Sequence, residues 1–148
     1  MLNINEVEVS EKPVEYICHG LGSCIGLFVT DRLKGLSGGA HIQLPSSPNN
    51  SGEHLGASYL INKLLNDFSA QGSDLNYLRA KVTGGARVYN GSLNIGEQNV
   101  QVVLQQLIDR RIFIAAKDVG GRISRTARFN SITGELQIST SELKTYCI

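Results

Sequence analysis

Glycine places the strongest constraint on this chain. Sixteen of its 148 residues are glycine, and many stand beside or inside apolar runs, as Gly20-Leu21-Gly22, Gly38-Gly39, Gly84-Gly85 and Gly120-Gly121. Glycine weakens a strand interior, and it is found there where backbones approach closely, at bulges or at tight turns. The apolar runs around these glycines have strand character. Residues 16–18 are short and apolar, and residues 25–30 form a mostly apolar run of the kind a buried strand needs. Residues 31–35 are expected to turn, and residues 39–44 give another strand, ended by Pro45.

Residues 45–52 hold two of the three prolines and are expected to form a surface loop. Beyond it Ala57, Leu60, Ile61, Leu64, Leu65 and Phe68 recur at three and four residues, which predicts an amphipathic helix ending near Gly72. A second helix is expected after Gly96, with Val100, Val103, Leu104, Leu107 and Ile108 as its apolar stripe and Glu97 at its favourable N-terminal end. Residues 78–82 predict a strand running into Thr83-Gly84-Gly85. Residues 112–116 predict another strand, followed by a loop at 118–121. Residues 126–130 and 136–139 flank a turn at 131–134, the pattern of a hairpin. The order of elements predicts a mixed α/β (α+β) layered sandwich of mixed β-sheets with helices on the outer faces. The length fits one domain spanning residues 1–148.

Composition narrows the function. Hydrophobic residues at 41% supply a core, and 18% charged residues are too few for a disordered chain. A net charge of +1 gives no bulk case for nucleic acid, and 6% aromatics without tryptophan give no base-stacking platform. No apolar run approaches the roughly 20 residues that span a bilayer. The acidic N-terminal segment lacks the basic start of a signal peptide, so the cytoplasm is the expected compartment and no membrane insertion is expected. Three cysteines are too few for a disulfide framework.

The densest chemical signal is Cys18-His19-Gly20-Leu21-Gly22-Ser23-Cys24. Its glycines let the backbone turn just before Cys24. The turn residues Gly22 and Ser23 then set free backbone N–H groups beside the thiol, able to stabilise a thiolate and later an oxyanion. His41 follows 17 residues after Cys24, and a strand pair joined at 31–35 brings the two together. A Cys–His pair is the minimum for thiol acyl transfer, in which the imidazole lowers the thiol pKa and returns a proton to the leaving group. Plainer readings exist. A buried free cysteine is commonly inert, and a histidine among apolar residues is commonly a hydrogen-bonded core residue. Zinc ligation by Cys18, His19, Cys24 and His41 is another reading, against which the six-residue cysteine spacing counts.

These residues resemble a known family. GLGSC at 20–24, GGAHIQLP at 38–45, AKVTGGA at 80–86, LNIGEQNV at 93–100, DVGGRISR at 118–125 and FNSITGELQI at 129–138 are similar, in this order, to the signature of the CheD family of chemoreceptor glutamine deamidases. The resemblance implies packed mixed sheets with outer helices. It implies Cys24 as nucleophile and His41 as general acid/base, converting selected glutamines of chemoreceptor cytoplasmic domains to glutamate, with no cofactor and no metal. Some members of the family are credited with receptor methyl-ester hydrolysis. The family's usual partner is CheC, a phosphatase of the response regulator, whose binding occupies the deamidase. Position 18 departs from the family, which carries a threonine there that orients the histidine. A thiol is a weaker hydrogen-bond partner, so Cys18 stands as a third catalytic position of reduced quality. The alternative is a catalytically weak or inactive module that docks on receptors or on a CheC-like partner. His19 receives no role, His54 reads as a solvated loop residue, and Cys147 reads as incidental near a frayed terminus.

Overall fold

The computed structural model describes residues 1–46 and 56–148. His54 and residues 47–52 of the expected loop lie outside the described residues. In chain order the elements are β1 (Val7–Ser10), β2 (Glu15–Leu21), β3 (Ile25–Asp31), β4 (Leu36–Ile42), α1 (Ala57–Ala70), a 3-10 turn (Leu75–Tyr77), β5 (Arg79–Gly84), α2 (Ile95–Asp109), β6 (Phe113–Val119), β7 (Arg125–Asn130), β8 (Leu136–Thr140) and β9 (Thr145–Cys147). One sheet has the order β1-β4-β3-β5-β6 and the other β2-β7-β8-β9. The first is antiparallel except for β5–β6, which pair in parallel, and the second is antiparallel throughout. A parallel pair needs a crossover, and α2 supplies it.

Three layers follow from which residues face which way. Ile25, Leu27 and Val29 of β3 join Leu36, Ala40 and Ile42 of β4, Ala80 and Val82 of β5, and the apolar faces of both helices in one core. Phe28 of β3 points the other way, into a second core with Tyr16, Cys18 and Leu21 of β2, Ala127 and Phe129 of β7, and Leu136 and Ile138 of β8. The helices therefore cover one face of the first sheet, and the second sheet covers the other. Phe129 stacks on both Tyr16 and Phe28, with ring centroids 6.5 and 5.3 Å apart. Asp118 of β6 and Arg125 of β7 form an ion pair between the sheets, 3.0 Å at closest, and Arg125 also donates to the carbonyls of Gly120 and Ile123.

The sequence pattern and the structure agree closely at α1, where Ala57, Leu60, Ile61, Leu64, Leu65 and Phe68 are the buried residues. They differ at α2. Its fully buried positions are Gly96, Asn99, Val103 and Leu107, while Ile108 is 58% exposed. The stripe is rotated because the helix packs through its small and polar first turn. The expected loop at 118–121 begins later, since Asp118 and Val119 extend β6 by pairing with Thr83 and Gly84. Strand β2 runs on through His19 and Gly20 to Leu21, with an irregularity between Cys18 and Leu21. Cys147 lies in β9, paired with Gln137, and is exposed.

Gly38 shows what the glycines permit. A Cβ there would lie 2.9 Å from the Glu8 carbonyl oxygen and 2.9 Å from both Leu64 and Phe68, so β1 and α1 reach β4 only because the side chain is missing. Gly38→Ala is expected to destabilise the fold by about 1–3 kcal/mol through overpacking. Gly91→Ala, where the added carbon meets nothing within 4 Å, serves as the control. Urea denaturation should give a lower midpoint for Gly38→Ala alone, with an unchanged slope. Equal midpoints would mean that β4 and α1 separate freely.

Candidate active site

Strand alternation places the candidate residues. On β3, Gly26 and Phe28 face the second sheet, and Cys24, just before the strand, packs against the same inter-sheet core. Gly26 sits opposite His41 of β4 on one side and opposite Thr83 of β5 on the other, and Thr83 sits opposite Asp118 of β6. His41, Gly26, Thr83 and Asp118 therefore form one row across four strands, on the face turned to the second sheet. Cys24 stands two residues before Gly26, one diagonal step from His41, a relation that puts residues roughly 7–8 Å apart and within reach of longer side chains.

His41 is held by the segment that leads into β1. Its amide donates to the Glu6 carbonyl at 3.1 Å, and its carbonyl accepts from Asn5 N at 2.8 Å. Its Nδ1 lies 3.2 Å from the carbonyl oxygen of Leu2, whose own amide bonds the Ile17 carbonyl of β2. A carbonyl only accepts, so Nδ1 carries the proton and Nε2 of the neutral ring carries the lone pair. Nε2 and the hydroxyl of Thr83 are buried and have no hydrogen-bond partner among the described residues.

Burial sets the charge state of the pair. It lowers the pKa of His41 against the opposing pull of the Leu2 carbonyl. It raises the pKa of Cys24, partly offset by the residue's own backbone N–H. The thiol and the imidazole are therefore both neutral at rest. Burial of the two groups thus works against an imidazole-lowered thiol pKa.

The turn before β3 is tethered by three consecutive carbonyls. Gly22 O accepts from Ala86 N at 2.8 Å, Ser23 O from Asn99 Nδ2 at 2.8 Å, and Cys24 O from Gly85 N at 2.8 Å. Gly84, at φ +108, wraps the loop so tightly that a Cβ would lie 2.2 Å from the Cys24 oxygen. The amide of Gly22 is committed to Gly20 O at 2.8 Å. Among the described residues no backbone carbonyl takes the Ser23 amide, and the Cys24 amide bonds toward its own thiol, which favours the thiolate.

Cys18 is fully buried on β2, opposite Ala127. Burial, with a further contribution from nearby Cys24, pushes its thiol up to about 12, so it stays neutral. Among the described residues the Nδ1 partner of His41 is Leu2, and no hydrogen bond joins Cys18 to the ring. His19 is exposed on β2. Among the described residues no three His, Cys, Asp or Glu side chains gather to hold a metal ion, and no helix is long and apolar enough to cross a membrane. Three residues around the site are given no role by the sequence reading. Leu2 acts through a carbonyl that only tertiary docking brings to His41. Thr83 shares the row of His41 through strand pairing alone. Asn99 does leave a signal, a polar residue at a core-facing position of α2.

The site's surroundings include an apolar rim. Tyr89 and Leu93 are strongly exposed and Val88 is partly so, and with Ser23 they line a shallow pocket of about 110 Å³.

Comparison with known proteins bears on this arrangement. The profile of the CheD family, described as CheD chemotactic sensory transduction, matches residues 43–140. A protein of Clostridium tetani named probable chemoreceptor glutamine deamidase CheD is 32% identical over 94% of this chain and 89% of its own length. A Geobacillus kaustophilus protein of the same name is 35% identical over 95% of this chain and 91% of its own length. A Methanosarcina acetivorans protein named probable chemoreceptor glutamine deamidase CheD 2 is 40% identical over 79% of this chain, which spans only 54% of that relative. The family match begins past His41, but the bacterial relatives align over the segment that carries Cys24 and His41. By family profile and by relatives aligned nearly end to end, this chain belongs to the CheD family.

Proposed function

We propose that this chain is a protein-glutamine deamidase whose substrates are glutamine side chains of chemoreceptor cytoplasmic domains. The observation that carries the reading is the placement of Cys24 and His41, in a CheD-family chain, on one inter-sheet face, with a His41 Nε2 that has no partner among the described residues and the Cys24 amide beside its own thiol. In the first step Cys24 Sγ forms a bond to the amide carbon, and its proton passes to Nε2. The oxyanion that develops is stabilised by the Ser23 and Cys24 amides. His41 then gives that proton to the departing nitrogen, the carbon–nitrogen bond breaks, and ammonia leaves a thioester. Water attacks the thioester with His41 as base, releasing glutamate and the thiol. Since the pair is neutral at rest, His41 acts as a general base during attack rather than as half of a standing ion pair. The Leu2 carbonyl fixes the tautomer, and Cys18 backs the dyad as a neutral wall. The exposed Val88, Tyr89 and Leu93 are where a protein substrate meets the rim.

A non-catalytic docking module is the second reading, favoured by the cysteine at position 18. A CheC-like phosphatase is its candidate partner, and the cytoplasm is the proposed compartment for either reading.

Incubation with a receptor cytoplasmic fragment, followed by mass spectrometry, should show glutamine converted to glutamate. Cys24→Ala and His41→Ala should each lower the rate by at least about 10⁴-fold while keeping the fold. The rate should fall only on the acid side of the ordinary histidine value, because protonation of Nε2 removes the base and burial has already lowered that pKa. Conversion by Cys24→Ala at the native rate would overturn the reading, and no conversion by the native protein would favour the docking module.

Cys18→Thr tests the departure at position 18. With Nδ1 already held by Leu2, kcat should change little, and the buried hydroxyl should cost about 1–3 kcal/mol if left unpaired. An order-of-magnitude gain in kcat would assign the orienting role to position 18 instead.

A further inference from the structure

Asn99 is completely buried on the first turns of α2, at a position where packing alone calls for an apolar residue. Its Nδ2 donates to the carbonyl of Ser23 at 2.8 Å and to the carbonyl of Gln43 at 2.9 Å. An amide nitrogen has two protons, and both are used. Ser23 immediately precedes Cys24, and Gln43 lies two residues past His41. One planar group thus spans the chain segments that carry the two reactive side chains.

The anchor is itself fixed. At Gly96, one turn earlier, a Cβ would lie 2.5 Å from the Ala86 oxygen and 2.6 Å from the Gly85 oxygen. The helix is therefore seated on the loop that also tethers Gly22 and Cys24. Asn99 Oδ1 is buried with no partner among the described residues. Such an acceptor is unfavourable, and a leucine of similar size would avoid it. Packing thus gives no reason for asparagine here, whereas the two donated bonds do.

We propose that Asn99 is a positioning residue that sets the separation of Cys24 and His41 by tying Ser23 to Gln43. This rests on the Cys24–His41 reading above. The Cβ of a diagonal strand neighbour has freedom that a mobile turn would exploit, and small misplacements of a reacting pair are costly.

The test uses the full chain and a receptor cytoplasmic fragment. Asn99→Leu keeps the volume and removes both donors, and Asn99→Ala removes volume and donors together. The rate is expressed per folded molecule, counted from the amplitude of the cooperative urea transition, so that loss of folded material is not read as loss of catalysis. Both variants are expected to lose about 10- to 100-fold in kcat with KM near the native value. A leucine variant with native kcat, beside an impaired alanine variant, would make Asn99 a packing residue and overturn the clamp. His41→Ala, measured alongside, separates the two levels. If it retains native kcat, the Cys–His reading falls and the clamp with it. If it is inactive while Asn99→Leu is fully active, the clamp alone falls.

Discussion

Strand β3 is hydrogen-bonded along both edges and covered on both faces, and the rest of the molecule is placed by reference to it. Its pairing with β4 fixes His41 opposite Gly26, and its pairing with β5 fixes Thr83 on the other side of the same glycine. Its alternation divides the interior, with Ile25, Leu27 and Val29 toward the helices and Phe28 toward the second sheet. A one-residue slip would exchange the two faces, sending Cys24 into the helix-side core and leucine toward the second sheet. Register, set by two apolar cores at once, is thus what delivers a cysteine and a histidine to the same narrow space.

His41 is buried in that space and Cys24 is partly buried at its edge, and this burial acts on both groups. Burial disfavours charge on both partners, raising the pKa of the thiol and lowering that of the imidazole. In the proposed deamidation such a pair is quiet until a substrate carbonyl arrives, and the proton moves as the carbon–sulfur bond forms. The arrangement depends on the ring being held without a charged partner, and the backbone does this through Leu2, Asn5 and Glu6. The thiol is held in the same manner, through three carbonyls of its turn.

Much of this was legible in the sequence, and the reasons differ by element. Helix α1 is read correctly because its six apolar residues obey the helical period and nothing competes with it. In α2 the period misplaces Ile108, because the docking surface is made of Gly96 and Asn99, residues that hydrophobicity does not count. Strand β9 is too short to leave a pattern, whereas β1 carries a brief alternation at Val7-Glu8-Val9-Ser10. Cys24 and His41 stand out by residue type and spacing and Cys18 only through the family resemblance, and the structure places Cys18 in the inter-sheet core and Cys24 against it. The charge state of the dyad was not legible, since a pKa depends on how much water a fold removes. The carbonyl of Leu2 has no side-chain signature at all.

The most direct measurement is the chemistry of the intermediate. The protein would be mixed with a receptor cytoplasmic fragment, quenched in acid within the first turnover, and mapped by peptide mass spectrometry. A cysteine nucleophile requires a receptor peptide joined through a former glutamine to Cys24, with ammonia released in equal amount before glutamate is formed. Glutamate formed with no adduct at any time, and with ammonia and glutamate rising together from the start, would contradict it.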